Sequence, residues 1–311
     1  MTCKAPAFSV VIPVYNAAAT IEATIASVLA QDCRDFEIVL VDDGSTDESL
    51  SVLRALACRH DCIRFVSQSN SGVSAARNLG ASLARGTFLA FLDADDTWEG
   101  DKLSAHAELH AAGPRIDASF GRIAFCEAQP GKRLVPQVFS TVTAGANTLD
   151  SVIAENPVCS SSNLLVRRTA FEAIGGFREG MHHAEDQEFI ARLVAAGHGL
   201  HGIDRHLVNY RMSADGLSAN LAAMHDGWRA LAAPYAAQVD LRAAEAVYCR
   251  YLARRALRTG GPAREALGYA AMGLRSDAAR FLADRRRGVL TLVSAVAALA
   301  MPGGLRRRVF A

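Results

Sequence analysis

Net charge is nearly absent from this 311-residue chain: 33 basic and 32 acidic residues leave +1 at neutral pH. A nucleic-acid-binding protein concentrates positive charge, so the balance removes any global case for that class. A regular cysteine framework is also missing. The seven cysteines, Cys3, Cys33, Cys58, Cys62, Cys126, Cys159 and Cys249, repeat no metal-ligand spacing, and their number is odd. Cys58 and Cys62 are spaced to share a helix face, and buried free thiols in a reducing cytoplasm are the expectation. No apolar run has the length of an ordinary membrane span; the longest late one, Val289–Met301, has about 13 residues and would rise about 20 Å as a helix. No Gly-x-Gly-x-x-Gly follows the first strand-like run, which excludes a Rossmann dehydrogenase. No internal repeat is found. No secretory signal is read at the N-terminus, where Lys4 precedes a short strand-like run broken at Pro13.

What is present is apolar residue, half of the chain, ample for a sizeable core. Phe8–Val14 and Phe36–Val41 read as buried strands, Ile63–Ser67 and Thr87–Leu92 as two more. Between them fall three helical segments. The first is capped by Asn16 and runs to about Ala30, the second starts at Ser45 or Thr46, and the third runs from Ser71-Gly72 to Ala84. Strands alternating with helices predict an α/β fold with a mostly parallel sheet and right-handed crossovers. The middle of the chain differs. Ala118–Phe125 and Arg133–Phe139 flank a Pro-Gly turn and read as a hairpin. Thr148–Ala154, Arg168–Ile174 and Asp186–Ala196 read as helices, and Ser162–Val166 and Leu207–Arg211 as strands. From about Leu221 strand signals vanish and Ala, Leu and Arg dominate. The division expected is a catalytic domain over residues 1–220 and a helical region over 221–311.

Three polar motifs fall where the first strands end: Pro13-Val14-Tyr15-Asn16, Asp42-Asp43-Gly44-Ser45 and Asp93-Ala94-Asp95-Asp96. In an open α/β sheet ligands bind outside the carboxyl ends of the strands, so the shared placement carries more than any one motif. Three carboxylates within four residues raise one another's pKa unless a cation compensates. Hard oxygen ligands suit Mg²⁺ or Mn²⁺, ions that bridge carboxylate and phosphate oxygens. A turn of the Asx type before Trp98 is the plain structural reading of the same residues.

The runs Val10–Asn16, Val41–Asp47, Asn70–Asn78, Phe88–Asp96, Gly175–Phe177 and Glu185-Asp186 resemble, in order, those of glycosyltransferase family 2, whose fold is GT-A. The resemblance covers roughly residues 8–212. It implies an inverting transferase that moves a sugar from a nucleotide diphosphate-sugar, with UDP-sugar favoured, onto an acceptor hydroxyl of a glycan or lipid-linked molecule. It implies that Pro13, Tyr15, Asn16 and Asp43 line the nucleotide, with Tyr15 stacked on the base and Asp43 accepting a ring N–H or ribose O–H. Asp42 would support Asp43, and Arg77 and Asn78 would sit beside the nucleotide. Asp93 and Asp95 would form the Asp-x-Asp pair at ribose and metal, with Asp96 as an alternative ligand because the run registers two ways. Asp186 would be the general base that takes the acceptor's proton. Arg211 is a phosphate-binding candidate. Met212 follows it where the family often has a basic residue or His, so a His ligand is lacking. Ser213 and Ser218 follow. Ser160–Asn163 would shape the acceptor pocket, and His182 and His183 either line the site or sit in an exposed loop.

Other classes fit less well. A nucleotidyltransferase usually carries a Gly-rich, basic phosphate loop after its first strand, where this chain has Pro-Val-Tyr-Asn. A non-catalytic sugar-nucleotide-binding scaffold would not need Asp186. Near the C-terminus, Arg285–Arg287 and Arg306–Arg308 flank Val289–Met301. That pattern is expected either of a helix lying on the inner face of the cell membrane, peripheral and near a lipid-linked acceptor, or of a helix packed on the protein or in a homo-oligomer contact.

Overall fold

The computed structural model describes residues 5–113, 115–127, 134–142, 145–181, 183–212, 220–259 and 261–310. Cys3, Lys4, the Pro130-Gly131 turn, Arg133, His182, Ser213 and Ser218 lie outside the described residues, as do the side chains of Arg307 and Arg308. The elements in chain order are β1 (Phe8–Val14), α1 (Ile21–Leu29), β2 (Phe36–Asp42), α2 (Ser49–Arg59), β3 (Ile63–Ser67), α3 (Val73–Leu83), β4 (Phe88–Phe91), β5 (Thr97–Trp98), α4 (Lys102–Ala112), β6 (Ala118–Glu127), β7 (Val135–Phe139), α5 (Leu149–Ala154), β8 (Leu165–Arg167), α6 (Arg168–Ala173), α7 (Glu185–Ala195) and β9 (Leu200–Met212). Helices α8 (Leu221–Ala232), α9 (Leu241–Arg258), α10 (Ala263–Phe281), α11 (Arg285–Leu299) and α12 (Gly303–Phe310) follow. The chain divides into two compact units, residues 1–147 with 157–213, and residues 148–156 with 214–311.

The first unit is built on a sheet of order β3-β2-β1-β4-β8-β6-β9-β5, with β7 paired to β6. Strands β3, β2, β1 and β4 are parallel, as alternation with α1, α2 and α3 requires. Beyond β4 the sheet becomes mixed. β8 runs antiparallel to both β4 and β6, with Val166 opposite Leu89 on one side and Ala118 on the other. β9 then lies parallel to β6. All seven residues of β1 are buried, which is why its apolar run is continuous rather than alternating. Val10, Ile12, Ile38, Leu40 and Leu53 pack in one core with Ile21, Ile25 and Val28 of α1.

Several local expectations change. Asn16 does not cap α1; it has a left-handed φ of 50° and its side chain accepts from the Thr46 N–H at 2.8 Å. Thr20 takes the N-cap position instead, without a capping side chain. Ser45 and Thr46 do not start α2, because they are used in the loop: the Asn16 N–H donates to Ser45 Oγ at 3.1 Å. Gly44 beside them has φ +73°, and a Cβ there would lie 2.7 Å from the Asn70 nitrogen. Cys58 is exposed rather than buried, since it lies off the inward face of α2. Strand β9 begins seven residues before the expected Leu207, because Gly202, Asp204 and Arg205 hide its start from an apolar count. Helix α4 has no simple apolar stripe: its inward face includes Lys102, His106 and His110 as well as Leu103 and Ala105.

Among the described residues the second unit is helical apart from its turns. Trp228 of α8 donates its indole N–H to the Ile153 carbonyl at 2.7 Å, tying α5 to α8 within this unit. His225, Trp228 and Tyr248 stack beside it. α10 is broken by extended backbone at Asp277. Among the described residues no helix is long and apolar enough to cross a membrane.

Candidate active site

The carboxyl ends of β1, β2 and β4 bring the three acidic and polar motifs to one edge. Tyr15 projects there, 52% exposed. The loop behind it is held by backbone N–H groups that donate into the β2 loop: Ala17 to Ser49 Oγ at 2.8 Å and Ala18 to Asp47 at 3.1 Å. Pro13 is buried within β1. Asp43 is buried and its carboxylate accepts three hydrogen bonds, from Gln68 Nε2 at 2.7 Å, the Ser71 N–H at 2.8 Å and the Gly72 N–H at 2.9 Å. The last two come from the start of α3, so Asp43 anchors that helix entry and has about one acceptor direction left. Asp42 accepts from Ser67 Oγ at 2.7 Å and from the Ser45 N–H at 3.2 Å, a supporting position within the sheet.

The three carboxylates of the Asp93–Asp96 turn differ in burial and in partners. Asp96 is fully buried; one oxygen accepts from Ser162 Oγ at 2.6 Å and the other from the Arg211 N–H at 2.8 Å. Burial, with Asp95 and Asp93 nearby, pushes its carboxyl well above the usual range. Asp95 is pushed up to about 6, by burial first and then by Asp93, while Arg211 acts the other way. Asp93 keeps 27% of its side chain exposed. Its Oδ1 accepts from Arg77 Nη2 at 2.6 Å and its Oδ2 from Ser160 Oγ at 3.4 Å. Asp93 and Asp95 are thus the two carboxylates of the turn that a solvent-borne ligand can approach.

Arg77 is buried to 2% exposure and stands between two acids, with Nη1 on Glu185 at 3.0 Å as well as Nη2 on Asp93. Its guanidinium also lies 5.3 Å from the centroid of the Phe177 ring. Burial works against the cation, but Asp93 and Glu185 more than offset it and hold Arg77 firmly protonated. Glu185 opens α7, and Asp186 follows, half-buried, one oxygen accepting from the Gln187 N–H at 2.7 Å. Glu185, Asp186 and Glu188 crowd the first turn, where the helix dipole favours anions. Glu188 faces away, held by Arg192 at 2.8 Å. Asn78 does not reach outward. It clamps the Gly-Gly-Phe turn, donating to the Phe177 carbonyl at 2.8 Å and accepting from the Phe177 N–H at 2.9 Å. Gly176 in that turn has φ +69° and a Cβ there would meet Asn78 Oδ1 at 2.7 Å. His183 is half-buried.

Two segments singled out in the sequence, Ser160–Asn163 and Arg211, find partners that the sequence does not announce. Ser160 and Ser162 bind the Asp93–Asp96 turn itself; besides holding Asp96, Ser162 Oγ accepts from the Asp93 N–H at 3.0 Å. Three serines in a row give no signal of such partners. Arg211 donates from Nε to the Asp95 carbonyl at 2.9 Å, and among the described residues its Nη atoms make no hydrogen bond. Behind the serine turn runs a buried polar chain. Lys102 Nζ lies 3.3 Å from the Asn163 carbonyl and 3.2 Å from His106 Nε2, and Ser119 Oγ bridges His106 at 2.7 Å and His110 at 2.9 Å. With no carboxylate in the chain, burial pushes Lys102 down to about 7 and His110 to about 4.

Among the described residues, no group of three or more His, Cys, Asp or Glu side chains is arranged to hold a metal ion. Two carboxylates still fit Mg²⁺ or Mn²⁺ where phosphate oxygens and water complete the shell.

Comparisons with known proteins bear on the family and the fold. The sequence matches the family described as Glycosyl transferase family 2 over residues 9–175. A PGL/p-HBAD biosynthesis glycosyltransferase of Mycobacterium bovis is 34% identical over 194 residues, 60% of this chain and 70% of the relative. An uncharacterized glycosyltransferase of Rickettsia conorii is 32% identical over 205 residues, 66% of this chain and 33% of the relative. Among solved structures, S. aureus TarS 1–349 in complex with UDP-GlcNAc superposes with a TM-score of 0.62 at 22% identity, covering 94% of this chain and 91% of that one. The mannosyltransferase PcManGT of Pyrobaculum calidifontis, in complex with GDP-Man and Mn²⁺, gives 0.54 at 21% identity, over 97% and 79%. At these identities the structural likeness shows the fold, GT-A.

Proposed function

Because the chain belongs to glycosyl transferase family 2 and is a glycosyltransferase, we propose that it inverts the anomeric carbon of a nucleotide diphosphate-sugar, with Asp186 as base and Asp93 and Asp95 at the donor phosphates. The observation that carries this reading is the Asp93–Arg77–Glu185 bridge, which ties the donor-side turn to the first residue of α7. Asp186 is the next residue, so the bridge fixes the backbone from which the base extends.

The nucleotide lies at the β1 and β2 ends in this reading. Tyr15 offers an exposed ring for the base, and Asp43 offers its remaining acceptor direction to a ring N–H or ribose O–H. Asn16 and Asp42 act through the loops, not by touching the nucleotide: both are engaged in holding the β1 and β2 loops. Pro13, buried in β1, acts by position also. A divalent ion at Asp93 and Asp95 would neutralise charge on the departing diphosphate. Asp96 is the brace of that turn. The Arg211 Nη atoms supply positive charge on the same side. Asp186 takes the proton of the acceptor hydroxyl as it attacks, opposite the diphosphate.

The donor is a UDP-sugar in this proposal, in keeping with the UDP-GlcNAc carried by TarS; PcManGT carries GDP-Man, so other bases belong in the test. The acceptor is a glycan or lipid-linked hydroxyl. Incubation with a panel of UDP-, GDP- and TDP-sugars, with and without acceptor, reads nucleotide release, and NMR of the product reads its anomeric configuration. Acceptor-stimulated release from a UDP-sugar with inversion is expected. A retained configuration overturns the mechanism, and no release from any donor overturns the enzymatic assignment of these residues.

A further inference from the structure

Helix α11 is turned inside out relative to an ordinary surface helix. Its buried positions are small: Gly288, Thr291, Ala295 and Ala298. Its large apolar side chains face solvent, with Val289 47%, Val293 57% and Val296 52% exposed along one stripe and Leu290 56% and Leu299 53% exposed on its flanks. A monomer has no energetic reason to present its largest side chains outward while packing its smallest inward; a contiguous apolar stripe of this kind marks a binding surface. Leu305 and Val309 of α12, 48% and 53% exposed, add to the apolar surface of the same unit.

Beside the stripe lies a pocket of about 490 Å³ whose charged lining is Arg254, Arg258, Arg286 and Arg287 against one acid, Asp284. Leu290 also lines it, so stripe and pocket share a residue. Asp284 is committed to Arg287 at 3.3 Å. Among the described residues, the side chains of Arg254, Arg258 and Arg286 make no ion pair or hydrogen bond. Burial lowers the Arg254 pKa, with Arg287 adding to the effect, and burial lowers that of Arg258, with Arg254 adding to it. Four guanidinium groups thus share the pocket lining with a single acid, Asp284, and Glu155 adds some counter-charge toward Arg254.

An excess of positive charge joined to an apolar stripe matches one chemistry, an anionic phosphate with hydrocarbon behind it. We propose that the helical unit docks on an anionic phospholipid surface, lipid phosphates entering the arginine pocket while the Val289–Val296 stripe lies among the upper acyl chains. Guanidinium groups suit phosphate because their planar forks donate in pairs. A second copy of this chain docked stripe to stripe would bring the same arginines toward one another, which charge complementarity opposes. The proposal is independent of the catalytic reading.

The test is flotation of the full chain with vesicles of phosphatidylcholine alone and of phosphatidylcholine with phosphatidylglycerol, at low and physiological salt. Binding is expected to the anionic vesicles only, weakening with salt. Arg254→Ser with Arg258→Ser should weaken it by about 25-fold, about fivefold for each arginine. Val293→Asn with Val296→Asn, at exposed positions that the fold does not need, should weaken it by at least about tenfold. Circular dichroism should be unchanged in both. Three outcomes overturn the proposal: no flotation with anionic vesicles; calorimetric binding of inorganic pyrophosphate in the pocket without vesicle binding; or self-association in the ultracentrifuge that the valine pair abolishes, again without vesicle binding.

Discussion

Arg77 Nη2 donates to Asp93 Oδ1 at 2.6 Å, and through its other terminal nitrogen the same buried guanidinium holds Glu185. A carboxylate at the end of β4 and another at the start of α7, far apart in the chain, are thereby set by one side chain. A guanidinium suits position 77 because its rigid plane presents separate nitrogens to the two acids, whereas an ammonium would have to reach both from a single nitrogen.

Arg77→Met should leave both carboxylates without their cation. Breaking a buried pair by removing one partner costs about 3–5 kcal/mol. Partial water access to Asp93 and Glu185 places the expected loss near the lower end, to be read from urea unfolding. Arg77→Lys should recover part of that stability but little of kcat, because one ammonium cannot hold both acids in place. Full activity in the lysine variant would show that the bridge has no part in catalysis.

The two registers of Asp93–Asp96 separate by substitution. Asp95→Asn should weaken donor binding and remove the response to Mn²⁺ or Mg²⁺, and excess chelator should abolish wild-type turnover. Asp96→Asn should retain the metal response, since an amide oxygen still accepts from the Arg211 N–H and the NH₂ group donates to Ser162 Oγ. Titration of activity against metal concentration in the two variants checks this. Loss of metal response in Asp96→Asn with retention in Asp95→Asn would reverse the assignment.

Asp186→Asn keeps the shape of the side chain and removes the proposed base. General-base contributions are about 10²–10⁴ in rate, so kcat should fall by that order. The donor KM should stay within about twofold, because the residue faces the acceptor in the proposed arrangement. Steady-state kinetics with donor and acceptor varied separately provides the measurement.

Lys102 gives stability a pH dependence of known sign. Folding lowers its pKa from 10.5 to about 7. Between those values the unfolded chain binds the extra proton, so stability rises with pH across the window and Lys102 costs stability below it. Lys102→Met removes that dependence. Its stability advantage over the wild type at pH 7 should shrink by on the order of 2–4 kcal/mol by pH 10, since each tenfold difference in proton affinity is worth about 1.4 kcal/mol. Chemical denaturation of both proteins at several pH values reads the difference; parallel curves would mean that Lys102 is not neutral in the folded state.

The four parallel strands are legible in the chain itself, because β-branched runs bounded by polar turns carry their own burial signal. So is the common edge of Asp43, Asp93 and Asp95, since strand ends in a parallel sheet share a side. The role of Asp96 is another matter. Its partners, Ser162 and Arg211, come from a turn and a strand remote in the chain, and no local pattern encodes their approach. The same holds for Asn16, read as a helix cap but drawn into the β2 loop by Ser45 and Thr46. It holds for Asn78, expected at the nucleotide but spent on the Phe177 turn. In α4 the inward residues include lysine and histidine, whose burial becomes tolerable only once Ser119 and the Asn163 carbonyl supply partners. Local periodicity reports which residues avoid water; which polar groups meet inside is set by the closing of distant chain segments, and that information exists only after folding.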